Sequence, residues 1–130
     1  MILLDTHVWW WSLTEPENLT ENAKVMIREA KTNDRYIASI SIWEFAMMVA
    51  KKRIALKISP SQWLSRAIDG AGITVIDLSP DIAIDSCDLP GTFHKDPADR
   101  LIVSTARIHS LTLVTKDQKI LDYPYVNSTW

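Results

Sequence analysis

The chain is 130 residues long, 47% hydrophobic and 23% charged, which fits one domain over residues 1–130 with its own core and leaves little room for a second. A net charge of −2 excludes a passive, charge-driven nucleic-acid coat, although carboxylates that bind cations would themselves lower the net charge. The single cysteine, Cys87, excludes an intrachain disulfide and points to a reducing compartment, the cytoplasm. No apolar run approaches the ~18–20 residues of a membrane span, and the opening MILLDTHVWWW lacks the basic flank and cleavage site of a signal peptide.

In chain order, ILL (2–4) predicts a buried strand, and the helix after it carries Trp9, Trp10 and Trp11. Successive helical residues point about 100° apart, so the three indoles cannot all enter one core. LTENAKVMIREAK (19–31) sets Ala23, Met26, Ile27 and Ala30 on one helical stripe. YIASI (36–40) predicts a second strand. SIWEFAMMVAKKR (41–53) predicts a helix ending in three cations, which suit a helix C-terminus. PSQWLSRAIDGAG (60–72) closes on glycines at a C-cap, and ITVI (73–76) is a third strand. A weaker helix over 79–89 stops at Pro90-Gly91, and a strong one, PADRLIVSTARIHS (97–110), follows. LTLVT (111–115) is the fourth strand and QKILDY (118–123) a short terminal helix or turn. Apolar runs that do not alternate suit parallel strands covered on both faces. Their alternation with helices predicts a three-layer α/β/α domain with a mostly parallel central sheet.

Open sheets of this kind bind ligands at the carboxyl ends of their strands. Asp5 directly follows the first strand. Glu44 lies in the first turn of the helix after the second, and Asp117 follows the fourth. The strong helix before that last strand runs back along the sheet, so its start brings Asp96 and Asp99 to the same edge. Such a cluster of carboxylates raises its own pKa values unless a cation compensates it. Oxygen ligands alone select hard ions such as Mg²⁺ or Mn²⁺, which activate water and offset phosphate charge in phosphodiester hydrolysis. Neither a Ser-His-Asp or Cys-His set nor a Gly-rich phosphate loop is present, and glycine occurs only three times.

The segments LLDTHVWWW, SISIWEF, HKDPADRLIVSTA and LVTKDQ resemble the acidic motifs of the PIN domain, and more narrowly those of the VapC-type toxin ribonucleases of bacterial toxin–antitoxin pairs. The resemblance runs essentially from end to end, in order. It implies a PIN-like fold and a Mg²⁺- or Mn²⁺-dependent endoribonuclease with one or two ions, usually a homodimer, acting on RNA and inhibited by a cognate antitoxin protein. It implies that Asp5, Glu44, Asp99 and Asp117 match the catalytic, metal-binding acids. Where relatives often carry an aromatic between Pro97 and Asp99, this chain has Ala98.

Each acid has a competing local explanation. Ser41-Ile-Trp-Glu44 reads as a capping box, and Asp117 as a cap of the short helix after it. Pro97 suits the first helical position, which makes Asp96 the N-cap, with at most an auxiliary site role, and leaves Asp99 free for chemistry. Thr6 and Thr115 flank site acids and are candidate hydrogen-bonding auxiliaries. His7 and His94 are candidates to line the site, with general-acid action as the chemical option. Arg100, Lys116, Lys95 and Lys119 are candidate contacts for RNA phosphates, with surface salt bridges as the alternative, and an exposed member of Trp9, Trp10 and Trp11 is a candidate antitoxin contact. Two other functions are open at this point. One is an aspartate-dependent phosphatase or phosphotransferase with Asp5 as nucleophile, although DTH lacks a second acid two residues on. The other is an inactive interaction module that keeps the scaffold.

Overall fold

A computed structural model describes residues 1–130. Strands β1 (Ile2–Leu4), β2 (Arg35–Ala38), β3 (Ile73–Ile76), β4 (Thr112–Val114) and β5 (Ser128–Thr129) form one sheet in the order β3-β2-β1-β4-β5. Every pairing is parallel. Helices α1 (Thr6–Thr14), α2 (Glu21–Glu29), α3 (Ser39–Ala50), α4 (Pro60–Ser65), α5 (Pro80–Cys87), α6 (Pro97–Ile108) and α7 (Gln118–Leu121) lie around it. No helix is long and apolar enough to cross a membrane.

The sheet separates two cores, as strands that are apolar on both faces require. On one face Ile2, Leu4, Ile37 and Val114 pack with Val8, Trp9, Ala23 and Phe45 of α1, α2 and α3. On the other, Leu3 and Leu113 meet Ile102, Val103 and Ala106 of α6, with Ile120 of α7. Trp9 is fully buried, and its indole N–H donates to the Ala67 carbonyl at 3.2 Å. Phe45 and Trp63 stack at 4.3 Å between centroids. As the 100° argument requires, Trp10 and Trp11 are only partly buried.

Three features depart from the sequence expectation. Residues 128–129 form an edge strand beside β4 in register Leu113↔Ser128, and no apolar run marks it. The helix predicted over 60–72 is α-helical only to Ser65 and then widens into a π turn, Arg66–Gly70. Gly72 follows at φ +63°, where a Cβ would meet Thr32 Cγ2 at 3.0 Å, so glycine is required there. Strand β2 ends at Ala38 and α3 begins at Ser39, two residues early. Its N-cap is therefore Ala38, which makes no side-chain capping bond.

The central strand β1 has β2 on one side and β4 on the other. Chain direction across the sheet reverses between these neighbours, so a switch point lies at the carboxyl ends of β1 and β4. Asp5 and Thr115 are the residues that emerge there.

Candidate active site

Asp5 ends β1 and caps α1. Its backbone N–H donates to the Val114 carbonyl at 3.0 Å, which ties it to the end of β4. Its Oδ1 accepts from the Thr6 amide at 2.8 Å and its Oδ2 from the Thr115 hydroxyl at 2.6 Å. Thr115 in turn accepts from the Asp117 amide at 3.0 Å, so a continuous chain of donors links the two strand ends. Desolvation raises the Asp5 carboxyl above its ordinary range, against the lowering effect of the Thr115 and Thr6 bonds.

Glu44 reaches the same edge from the neighbouring strand connection. Its Oε1 accepts from the Thr6 hydroxyl at 2.6 Å, and Thr6 Oγ1 also lies 2.8 Å from Ser41 Oγ. Thr6 has one hydroxyl proton, and an ionised carboxylate can only accept. The proton therefore serves Glu44, and Ser41 donates to the Thr6 oxygen. Thr6, Ser41 and Thr115 are all buried, which makes this network rigid. Glu44 is raised chiefly by desolvation and then by Asp5 and Asp96. The capping-box reading of Ser41 and Glu44 is thus corrected, because both side chains turn inward to Thr6. Ser41 was legible only as a cap, and its contact with Thr6 spans 35 residues.

Asp96 and Asp99 divide as the sequence suggests. Asp96 is the N-cap of α6, accepting from Ala98 at 3.0 Å and, at 3.5 Å, weakly from Asp99. Asp99, one turn in, points into the cluster. Its carboxyl is pushed up to about 7, first by desolvation and then by Asp5, Asp96, Asp117 and Glu44. Asp117 caps α7 through the Lys119 amide at 2.9 Å, so its local explanation also holds.

The tightest group is His94, Asp99 and Asp117, whose ligand atoms lie within 4.8 Å of one another. His94 Nε2 is 3.2 Å from Asp99 Oδ2 without forming a hydrogen bond, and the nitrogen is buried and unpartnered. Asp5 adjoins this group through Thr115, and Glu44 flanks it through Thr6. The carboxylates carry more negative charge than their surroundings offset, and their oxygens suit a hard divalent cation.

The cations proposed for RNA behave differently from one another. Arg100 is a correction: Nε donates to the Ser86 carbonyl at 2.8 Å, and Nη1 to those of Phe93 and His94 at 3.1 Å each. Its guanidinium clamps the loop onto α6 and is no free phosphate contact. Lys116 extends over the Trp11 ring at 5.3 Å. Lys95 and Lys119 are exposed beside the acidic segments. His7 packs near Trp11, 5.6 Å between centroids. A cavity of about 430 Å³ opens beside Thr6, His7 and Glu44, walled by Trp10, Trp11 and Trp43 and bordered by Lys51, Arg53 and Glu15.

An acidic edge on an all-parallel sheet of this order defines a class. Residues 2–124 match the PIN domain family, and the chain belongs to it. Ribonuclease VapC22 of Mycobacterium tuberculosis is 36% identical over 119 residues, covering 92% of this chain and 88% of that protein. Among solved structures, FitAcB from Neisseria gonorrhoeae superposes with a TM-score of 0.71 at 22% identity, over 100% of this chain and 97% of that one. A toxin–antitoxin complex from Klebsiella pneumoniae gives 0.70 at 24%, with the same coverage. VapBC2 from Rickettsia felis, bound to a DNA fragment from its promoter, gives 0.70 at 22%, over 99% and 98%. These structural similarities establish the fold.

Proposed function

We propose that the chain is a metal-dependent endoribonuclease, the toxin of a toxin–antitoxin pair, working in the cytoplasm. The observation that carries the reading is the convergence of Asp5, Glu44, Asp99 and Asp117, from four separate segments, on one sheet edge where Asp99 is pushed up to about 7 by the others and by burial. The ribonuclease relative supports the substrate class.

In this reading Asp5, Asp99 and Asp117 hold one or two Mg²⁺ or Mn²⁺ ions, with Glu44 closing the set. A bound ion supplies Lewis acidity that acidifies water and offsets charge on the phosphate. The chain's own part is orientation. The Thr115 hydroxyl fixes Asp5, and Thr6, backed by Ser41, fixes Glu44. Asp96 holds the start of α6 and thereby the aim of Asp99. In the same reading Lys116 and Lys119, exposed beside the acidic edge, receive RNA phosphates. Both Asp5 oxygens accept hydrogen bonds, which suits a fixed anchor better than the attacking nucleophile of a phosphatase.

Two partners follow. An antitoxin segment fits the cavity walled by Trp10 and Trp11, which reaches Glu44 and so blocks the site when filled. A second copy of the chain fits the neighbouring apolar face, where Trp43 is 56% and Leu78 55% exposed around a groove lined by Ile40, Ile82 and Leu101. The test is cleavage of cellular RNA by the purified chain with Mg²⁺ or Mn²⁺, wild type against Asp5→Asn and Asp99→Asn. Folded variants that cut at the wild-type rate would sink the reading.

A further inference from the structure

Three of the four site acids accept a hydrogen bond from a dedicated donor: Asp5 from Thr115, Glu44 from Thr6, and Asp117 from the Lys119 amide. Asp99 accepts no such bond, and His94 Nε2 stands 3.2 Å from its Oδ2. That histidine is held from three sides. Arg100 grips the Phe93 and His94 carbonyls, the Phe93 ring lies against the imidazole at 4.3 Å, and the Asp96 amide donates to Nδ1 at 3.3 Å.

The last contact decides the tautomer. With Nδ1 accepting from a backbone N–H, the single proton of the neutral ring sits on Nε2, the atom 3.2 Å from Asp99 Oδ2. The same contact argues against the obvious alternative. His94 Nε2 stands with Asp99 and Asp117 at ligand spacing, but ligation needs its lone pair and hence a proton on Nδ1. Ligating histidines donate from their second nitrogen to an acceptor; here that nitrogen faces another donor, the Asp96 amide.

We propose that His94 is a positioning residue: an Nε2–H donor, locked in its tautomer by the Asp96 amide, that orients Asp99 toward the cation without binding the cation itself. The inference rests on the metal reading above and adds a role for a residue outside the carboxylate set. With Asp99 turned toward a bound cation, the 3.2 Å contact would close into a hydrogen bond and give the buried Nε2 the partner it lacks. The pair of acids flanking Pro97 then splits the work: the Asp96 amide sets the histidine, and the histidine sets Asp99.

Side-chain geometry supplies a discriminating series. His94→Gln puts an amide N–H₂ near the Nε2 position, His94→Asn puts one near Nδ1, and His94→Leu provides neither. Mn²⁺ affinity, measured from the free-ion electron paramagnetic resonance signal, is expected to fall 10- to 100-fold in His94→Leu, the range for residues that support metal ligands. Gln is expected to recover most of the loss and Asn little. Two measurements on the wild-type chain keep the proposal open to refutation where a variant fails to fold. Two-bond ¹H–¹⁵N correlation on the metal-free protein reads the tautomer directly, and a proton on Nδ1 would overturn the proposal whether or not the protein cuts RNA. Pulsed resonance on the Mn²⁺-loaded chain showing ¹⁴N coupling to an imidazole would make His94 a ligand and overturn it too. Unchanged Mn²⁺ affinity in folded His94→Leu has the same consequence. Wild-type protein that binds Mn²⁺ with the Nε2–H tautomer but leaves RNA intact would sink the ribonuclease reading and keep this one.

Discussion

Substituting Asp99 with asparagine removes a charge that burial and the neighbouring acids disfavour. In the folded chain its carboxyl is pushed from 3.8 up to about 7, so between those values the native state holds a proton the unfolded state has lost. Stability of the metal-free protein therefore falls as pH rises from about 4 to about 7 and stays low above that. Each tenfold in proton affinity corresponds to ~1.4 kcal/mol, which sets a ceiling of about 4 kcal/mol. The Asp99 side chain is 23% exposed and solvent screens its neighbours, so about half of that ceiling, ~2 kcal/mol, is expected. For a chain of this length 1 kcal/mol moves the melting temperature by about 4 °C. Asp99→Asn should thus melt about 8 °C above wild type at pH 8 in EDTA, and the two should converge near pH 4. Saturating Mg²⁺ at one hundred times its Kd stabilises wild type by ~2.7 kcal/mol, which closes or inverts the gap because the variant has lost a ligand. Differential scanning fluorimetry across pH, with EDTA and with Mg²⁺, reads all of this. A variant no more stable than wild type at pH 8 in EDTA, or a gap that ignores pH, would refute the electrostatic account of the site.

Other substitutions separate the supporting parts. Thr115→Val deletes the 2.6 Å bond to Asp5 and is expected to lower stability by ~1–2 kcal/mol in urea melts, and to weaken Mg²⁺ binding in calorimetry as Asp5 rises further. Asp96→Asn keeps the cap and should leave both stability and RNA cleavage near wild type, whereas Asp96→Ala should lose ~1 kcal/mol of stability; a large loss of cleavage in folded Asp96→Asn would make Asp96 a ligand. Arg100→Ala should lower stability by ~2–4 kcal/mol through the released carbonyls of residues 86, 93 and 94, and hydrogen exchange should report faster opening of that loop; a merely weaker RNA affinity at unchanged stability would restore its phosphate role. Trp9→Ala empties the packing around a fully buried indole and should lower stability by ~3–5 kcal/mol, measured by chemical denaturation.

What could be read in advance depended on whether the signal was local. The strands Ile2–Leu4, Ile73–Ile76 and Thr112–Val114 were legible because sheets covered on both faces demand unbroken apolar runs. Pro97 and Asp96 were legible because a cap and its helix are neighbours in the chain. Strand β5 was not: Ser128 and Thr129 join the sheet through backbone pairing with β4 and with the residue after it, Thr115, whose N–H donates to the Thr129 carbonyl at 3.0 Å. The start of α3 was misplaced for a related reason. Ala38 still pairs with Ile76, and the helix begins at the next residue, carrying Ser41 past the cap position and turning it inward. Arg100 beside an acid reads as a surface cation, because nothing local reveals that the Ser86 carbonyl of α5 and the Phe93 and His94 carbonyls of the following loop come within its reach. His94 illustrates the same limit, since its importance lies in two contacts that exist only once α6 has formed.

The choice between cap and ligand, which local sequence poses for each acid, dissolves at this edge of the sheet. Asp5, Asp96 and Asp117 are all N-caps, of α1, α6 and α7. A cap places its carboxylate at the positive end of a helix dipole, worth ~0.3–1 kcal/mol each at exposed sites. With three such helix starts directed at one volume, backbone dipoles offset part of the carboxylates' mutual repulsion before any cation arrives. Asp99 falls outside that arrangement: it sits at the third helical position, and Asp96 already accepts the hydrogen bonds available at that end of α6. Its carboxyl is pushed up to about 7 by burial and by Asp5, Asp96, Asp117 and Glu44, and a divalent ion would relieve that charge. The fold tolerates an acidic site in part because Asp5, Asp96 and Asp117 double as caps, whereas Asp99 and Glu44 take no cap role and rely on a cation or on Thr6 for compensation.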